Sequence, residues 1–227
     1  MKFILFDIDG TLIDSGGAGT KSLNLAFEEL FSIQDAFQSI SMAGKTDVQI
    51  IKEGLRKHDI SSENGVIPQL CNLYIRHLKQ NLVISNGSLK TGIRNALSKL
   101  HAHKDVILGL LTGNIEEGAR LKLDRFDLNR FFEIGAFGSD HEDRNSLLPV
   151  AIHKLEKHRY FKISPEDCIV IGDTPRDVDC TKPYGAFSIA VATGPYSFAS
   201  LSHAGADLVL KDLADINGIL QILISSR

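Results

Sequence analysis

Short apolar runs recur along the chain at residues 3–7, 106–112, 133–137, 168–172, 187–192 and 207–210. Each is too short for an amphipathic helix, so each predicts a strand. The first, Phe3-Ile-Leu-Phe6, is apolar throughout, the pattern of a strand covered on both faces. Between the runs, apolar residues return at helical spacing. Ile93, Leu97 and Leu100 share a face before the second strand, and Leu148, Ile152 and Leu155 share one before the fourth. Leu213, Ile216, Leu220 and Leu223 predict a last amphipathic helix, followed by a frayed end at residues 225–227. Strands alternating with helices predict an α/β fold, a mostly parallel sheet with helices on both faces.

Residues 15–87 break that rhythm. They predict three helices and no strand: Leu23, Phe27, Leu30 and Phe31 line one, Val48, Ile51 and Leu55 a second, and Ile67, Leu70, Tyr74 and Leu78 a third. Gly16, Gly17 and Gly19 stand at the start of the block and Asn86-Gly87 at its end. Glycines at both crossings suit a hinge, and equally suit plain turns. Gly16-Gly-Ala-Gly19-Thr20-Lys21-Ser22 is no phosphate-binding P-loop, which needs Lys directly after Gly and a wider glycine spacing.

The bulk numbers narrow the function classes. The chain has 227 residues and a formal charge of -3, so it is long enough for a packed core and carries no basic footprint for nucleic acid. No apolar stretch is long enough to span a bilayer, and the chain opens directly on a strand with no signal peptide before it. Cys71, Cys168 and Cys180 are few and widely spaced, which fits a reducing, cytoplasmic setting.

Chemistry gathers at strand ends. Phe3–Phe6 runs into Asp7-Ile8-Asp9-Gly10-Thr11, with two carboxylates at the carboxyl end of the first strand, where open α/β sheets place their ligands. Carboxylates that close repel unless a cation or a shared proton intervenes. The economical reading is a metal site with one carboxylate left for covalent chemistry. Leu110-Leu-Thr112-Gly113-Asn114 ends the second strand, and Ile169-Val-Ile-Gly172-Asp173-Thr-Pro-Arg-Asp177 ends the fourth.

These three segments, in this order and spacing, resemble the first, second and fourth motifs of the haloacid dehalogenase (HAD) superfamily, in its phosphoglycolate-phosphatase-like branch. The resemblance implies a Rossmann-like catalytic core at residues 1–14 and 88–227 and a helical cap domain at residues 15–87. It implies a phosphatase that hydrolyses a small phosphorylated metabolite through an aspartyl-phosphate, with Asp7 as nucleophile and Asp9 as general acid and base. Mg²⁺ is the expected cofactor, held by Asp7, by the Asp9 backbone carbonyl and by Asp173, with Asp177 supporting them from one helical turn away. Thr112, Gly113 and Asn114 are placed to bind phosphate oxygens, and Asn114 with Glu117 also fits a helix capping box. A sugar-phosphate mutase of the same superfamily, or a non-catalytic domain that binds a phosphorylated ligand, are the alternatives.

The third motif departs from the family. A Lys is usual there, but Gly138-Ser-Asp-His141-Glu142-Asp143-Arg144-Asn145 has none. Arg144 stands in the matching place and is the expected replacement, able to bind phosphate bidentately. Lys122, on the helix after the second motif, is its rival, and otherwise reads as a solvated surface residue. The acidic run from Asp140 to Asp143 reads as a solvated loop. In the helical insertion, Gly44-Lys45-Thr46 is the candidate specificity loop, with Lys45 meeting a substrate carboxylate or second phosphate, or simply lying on the surface beside a helix start.

Overall fold

A computed structural model describes residues 1–215 and Leu220. The strands of the main sheet are β1 (Lys2–Phe6), β4 (Val106–Thr112), β5 (Ile134–Phe137), β6 (Cys168–Gly172), β7 (Phe187–Val191) and β8 (Leu208–Leu210). They lie in the order β5-β4-β1-β6-β7-β8, and every pairing is parallel. All six predicted strands are therefore present. The chain first builds outward from β1 through β4 to β5, then crosses back to lay down β6, β7 and β8 on the other side. The order reverses beside β1, which places a crevice at the carboxyl ends of β1, β4 and β6.

The alternation of side chains along β1 explains its unbroken apolarity. Ile4 and Phe6 face a core shared with Ile93, Leu97 and Leu100 of α4 (Ile93–His101) and with Ala119 and Leu123 of α5 (Glu116–Asp124). Phe3 and Leu5 face the opposite core, built with Leu148, Ala151 and Leu155 of α6 (Leu147–Arg159). Both faces of the sheet are thus covered. Two short helices, α7 (Pro175–Asp179) and α8 (Phe198–His203), complete the described part. The helix predicted over 213–223 and the frayed end at 225–227 fall almost wholly outside the described residues.

The inserted block forms the three expected helices, α1 (Ala18–Phe31), α2 (Asp47–Lys57) and α3 (Val66–Ile84). They carry a hydrophobic core of their own, in which Phe27, Phe37, Ile51, Leu70, Tyr74 and Leu78 are buried. The Phe27 ring is central, 4.9 Å from Phe31 and 5.1 Å from Phe37 between centroids. The two crossings contain what the sequence did not predict, a small antiparallel ribbon of β2 (Ile13–Asp14) and β3 (Ser88–Leu89). It ties the outgoing and returning chain side by side. At Gly87 a Cβ would press on the Asp14 carbonyl oxygen, so close backbone packing demands glycine there. Among the described residues, no helix is long and apolar enough to cross a membrane.

Candidate active site

The sheet brings Asp7, Thr112 and Asp173 to one crevice because each directly follows or ends a central strand. A cavity of about 270 Å³ opens there, lined by Asp7, Asp9, Asn114, Lys122, Arg144 and Asp173 among others. Asp7, Asp173 and Asp177 present carboxylate oxygens that all lie within 4.8 Å of one another, and all three residues are buried. Burial, opposed in part by the nearby Arg144, pushes the Asp7 carboxyl up to about 6. Burial and repulsion from Asp7 and Asp177 push Asp173 up to about 8. Such a cluster of hard oxygens, short of positive charge, fits a small divalent cation, whose presence would reverse both shifts.

Asp173 is held in place from two sides. Thr11 donates to its Oδ1 at 2.8 Å. A Cβ at Gly10 or at Gly194 would collide with the same carboxylate, and Gly10 has φ +87°, so these positions leave room only for glycine. Thr193 clasps this loop to the first motif by donating to the Gly10 carbonyl at 2.7 Å.

Asp177 is occupied in supporting its neighbours. One oxygen receives the backbone N–H and hydroxyl of Thr174, at 2.9 and 2.8 Å, at the start of α7. The other receives Arg144. The Asp177 carboxylate thus acts chiefly as a clamp on Arg144 and on the turn that carries Asp173.

Both candidate cations reach the site, and they divide it. Arg144 lies 3.2 Å from Asp7 Oδ1, and its side chain is buried against Asp7 and Asp177. Lys122 is not a solvated surface residue: its side chain is 5% exposed, and Nζ donates to Asp9 Oδ2 at 2.6 Å and to Asn114 Oδ1 at 2.5 Å. Burial works to raise the Asp9 carboxyl, but the Lys122 charge and the hydrogen bonds from Lys122 and Asn114 hold it below its usual range. Asp9 Oδ1 is buried without a hydrogen-bond partner among the described residues.

Asn114 does not cap α5. Its side chain donates to Asp9 at 2.9 Å and to Thr112 Oγ1 at 2.8 Å, so it serves the site instead. The helix begins after Ile115, whose backbone N–H is taken by Asp47 Oδ2 at 2.9 Å, a cap supplied from the helical block. Gly113 is required by the same approach. A Cβ there would strike the Lys45 carbonyl, and Asp47 N–H donates to the Gly113 carbonyl at 2.7 Å. The close backbone approach at Gly113 is made by the helical block.

Gly44 and Lys45 of the candidate specificity loop line the cavity. Thr46 donates to the Glu142 carbonyl at 2.8 Å, and Arg144 reaches the Gly44 carbonyl at 3.4 Å. Lys45 lines the cavity, but its ammonium is 2.6 Å from Glu53, so the charge expected to meet a substrate anion is already paired. The acidic loop holds no metal cluster among the described residues. Asp140 accepts from Phe137 N–H at 2.9 Å and pairs with Lys154, and Glu142 pairs with Lys52.

Asp47 and Tyr74 line the cavity, and the sequence did not single them out. Tyr74 sits on an apolar helical face and reads as core, which its ring is. Asp47 opens α2 right after the Gly-Lys-Thr run, and an acidic residue in a first helical turn reads as a dipole partner.

Known proteins resemble this chain over nearly its whole length. The phosphoglycolate phosphatase of Nitrosospira multiformis is 22% identical over 223 residues, covering 97% of this chain and 96% of its own. Tyrosine-protein kinase PtkA of Mycobacterium tuberculosis H37Rv is 26% identical over 225 residues, 98% of this chain and 72% of its own. The structure of CbbY from Rhodobacter sphaeroides, in complex with phosphate, superposes with a TM-score of 0.74 at 17% identity, covering 95% of this chain and 96% of that one. The family model for haloacid dehalogenase-like hydrolases matches residues 4–191, the span that carries Asp7, Thr112, Arg144 and Asp173, and the chain belongs to that family.

Proposed function

We propose that the protein is a Mg²⁺-dependent phosphatase that hydrolyses a small phosphate monoester through an aspartyl-phosphate on Asp7. The observation that carries this reading is the meeting of two differently tuned carboxylates in one cavity. Asp7 lies against Arg144 in a cluster suited to a cation, while Asp9 lies against Lys122 with one oxygen unpartnered. A module that only bound a phosphorylated ligand would have no use for the second carboxylate. Phosphatase relatives and the family membership agree with it.

In this reading Asp7 attacks phosphorus, and the bond from phosphorus to the alcohol oxygen breaks. Asp9 gives its proton to the departing alkoxide. Asp9 then takes a proton from water, the oxygen of that water attacks phosphorus, and the bond to Asp7 breaks to release phosphate. Acid–base assistance of this kind is worth about 10²–10⁴ in rate. Asp9 needs a proton for the first step, yet Lys122 holds it ionised in the ligand-free protein. An incoming phosphate dianion draws on the same ammonium, weakens its hold on Asp9, and raises the Asp9 pKa when the acid is required. Arg144 screens the Asp7 carboxylate from the anionic phosphate.

Asp7 and Asp173 would hold the Mg²⁺, together with the Asp9 backbone carbonyl that the family resemblance supplies. When bound there, the cation would supply positive charge against that of nucleophile and phosphate. Residues 1–14 and 88–227 form the catalytic core in this reading. Residues 15–87 form the cap that closes over it, joined through the β2–β3 ribbon. The substrate is a small phosphorylated metabolite, and a cytoplasmic setting suits the free thiols of Cys71, Cys168 and Cys180.

A panel of phosphate monoesters, assayed with Mg²⁺ and with EDTA, tests the proposal. Hydrolysis of small esters that EDTA abolishes is expected. Undiminished hydrolysis in EDTA, or none with any ester, overturns it.

A further inference from the structure

The end of the cavity formed by the helical block is poorly suited to an anion. Only two side chains that are charged at neutral pH reach it from residues 15–87, Lys45 and Asp47. Lys45 is neutralised by Glu53 at 2.6 Å. Asp47 is 7% exposed and spends one oxygen on the Ile115 N–H, which leaves the other as a hydrogen-bond acceptor toward the cavity. Burial pushes its carboxyl up to about 6, so it is still largely ionised at neutral pH. Lys122 already faces Asp9 and lies close enough to Asp47 to counter its burial.

Tyr74 is the second observation. It is 1% exposed and lines the cavity, and burial pushes its phenol well above its usual range, so it stays a neutral hydroxyl that can donate. Gly19 packs beside it, where a Cβ would sit at ordinary contact distance, 3.7 Å from the hydroxyl and 3.6 Å from Lys122 Nζ. Leu23, Met42 and Ile50 supply apolar walls between these polar groups.

We propose that the helical-block end of the cavity selects an uncharged, hydroxylated leaving group, with Asp47 accepting a hydrogen bond from the alcohol and Tyr74 donating one to it. This deepens the phosphatase reading and rests on it. A short polyol phosphate satisfies both groups. An ester of glycolate would instead bring its carboxylate toward Asp47, with Lys45 already committed. A site built to hydrogen-bond a hydroxyl rejects analogues that lack it, because its own polar groups are then left unpaired.

The test compares kcat/KM for sn-glycerol 3-phosphate, 2-phosphoglycolate and ethyl phosphate, with p-nitrophenyl phosphate as the general phosphatase probe. The wild-type protein should favour glycerol phosphate over 2-phosphoglycolate by roughly tenfold or more. Asp47→Asn keeps the shape and an acceptor oxygen but removes the charge, and should move that ratio toward 2-phosphoglycolate by roughly tenfold. Tyr74→Phe should lower glycerol phosphate relative to ethyl phosphate by about five- to tenfold, the worth of one hydrogen bond. Ratios between substrates are the readout because a purely structural loss would move all esters together. A wild-type preference for 2-phosphoglycolate, or ratios unmoved by both substitutions, overturns the inference and leaves the phosphatase reading standing. Failure to hydrolyse any of the four esters with Mg²⁺ overturns both.

Discussion

In the absence of metal, the acidic cluster should make the protein more stable as pH falls, and Mg²⁺ should remove that trend. The perturbation is a change of pH with and without the cation. Asp173 is raised from 3.8 to about 8 and Asp7 from 3.8 to about 6, so the folded state holds protons that the unfolded chain has released. Stability then rises as pH drops below each folded pKa, and the gain is complete once the unfolded carboxylates also protonate. From about pH 7 to 6, Asp173 alone contributes on the order of 1 kcal/mol, and Asp7 joins it below about pH 6. Because the two repel, the protons belong to the pair, and together they give on the order of a few kcal/mol between about pH 7 and 5. Bound Mg²⁺ favours the ionised carboxylates, so it should stabilise the protein more at pH 7 than at pH 5. Urea denaturation at about pH 5, 6 and 7, in EDTA and in saturating Mg²⁺, reads this directly. Other titrating groups contribute equally to both series and cancel in the difference. Identical pH slopes in EDTA and Mg²⁺ would refute the assignment of the cluster as a cation site.

Asp9→Asn should lower turnover of alkyl phosphates by about 10²–10⁴ and spare esters with good leaving groups, as steady-state kinetics on the two ester types will show. Arg144→Ala strands Asp7 and Asp177 without their guanidinium, so denaturation should report a loss of about 3–5 kcal/mol together with a fall in turnover. Lys122→Ala should act differently, raising the Asp9 pKa and displacing its limb of the pH–rate profile upward; an unmoved profile would contradict the pairing at 2.6 Å. Gly113→Ala should cost about 1–3 kcal/mol in thermal or urea unfolding, because its Cβ meets the Lys45 carbonyl.

The sheet was legible because parallel strands buried on both faces write themselves as uninterrupted apolar runs. The central strands β1 and β6 follow that rule, and each runs into a carboxylate of the site. The β2–β3 ribbon was invisible because two residues per strand cannot express a period. Lys122 misled for a related reason. A Lys on a polar helix ordinarily faces solvent, and only the approach of Asp9 and Asp47 from distant segments gives this one a buried partner set. Asn114 followed by Glu117 has the spacing of a capping box, but tertiary contacts claim the Asn and substitute Asp47 from another element. Gly113 signalled a close approach without saying what approaches. Local patterns therefore located the site, while its pairings depend on contacts between segments far apart in sequence.

Asp7 is the residue that takes the phosphoryl group in the proposed mechanism. Rapid acid quench of the protein during turnover of a small phosphate monoester, followed by peptide mass spectrometry, tests it most directly. The expected result is a hydroxylamine-sensitive phosphoryl adduct on Asp7, more abundant in Asp9→Asn, where loss of the base slows its hydrolysis, and absent from Asp7→Asn together with all turnover. Turnover that persists in Asp7→Asn, or an adduct on any other residue, would contradict the mechanism.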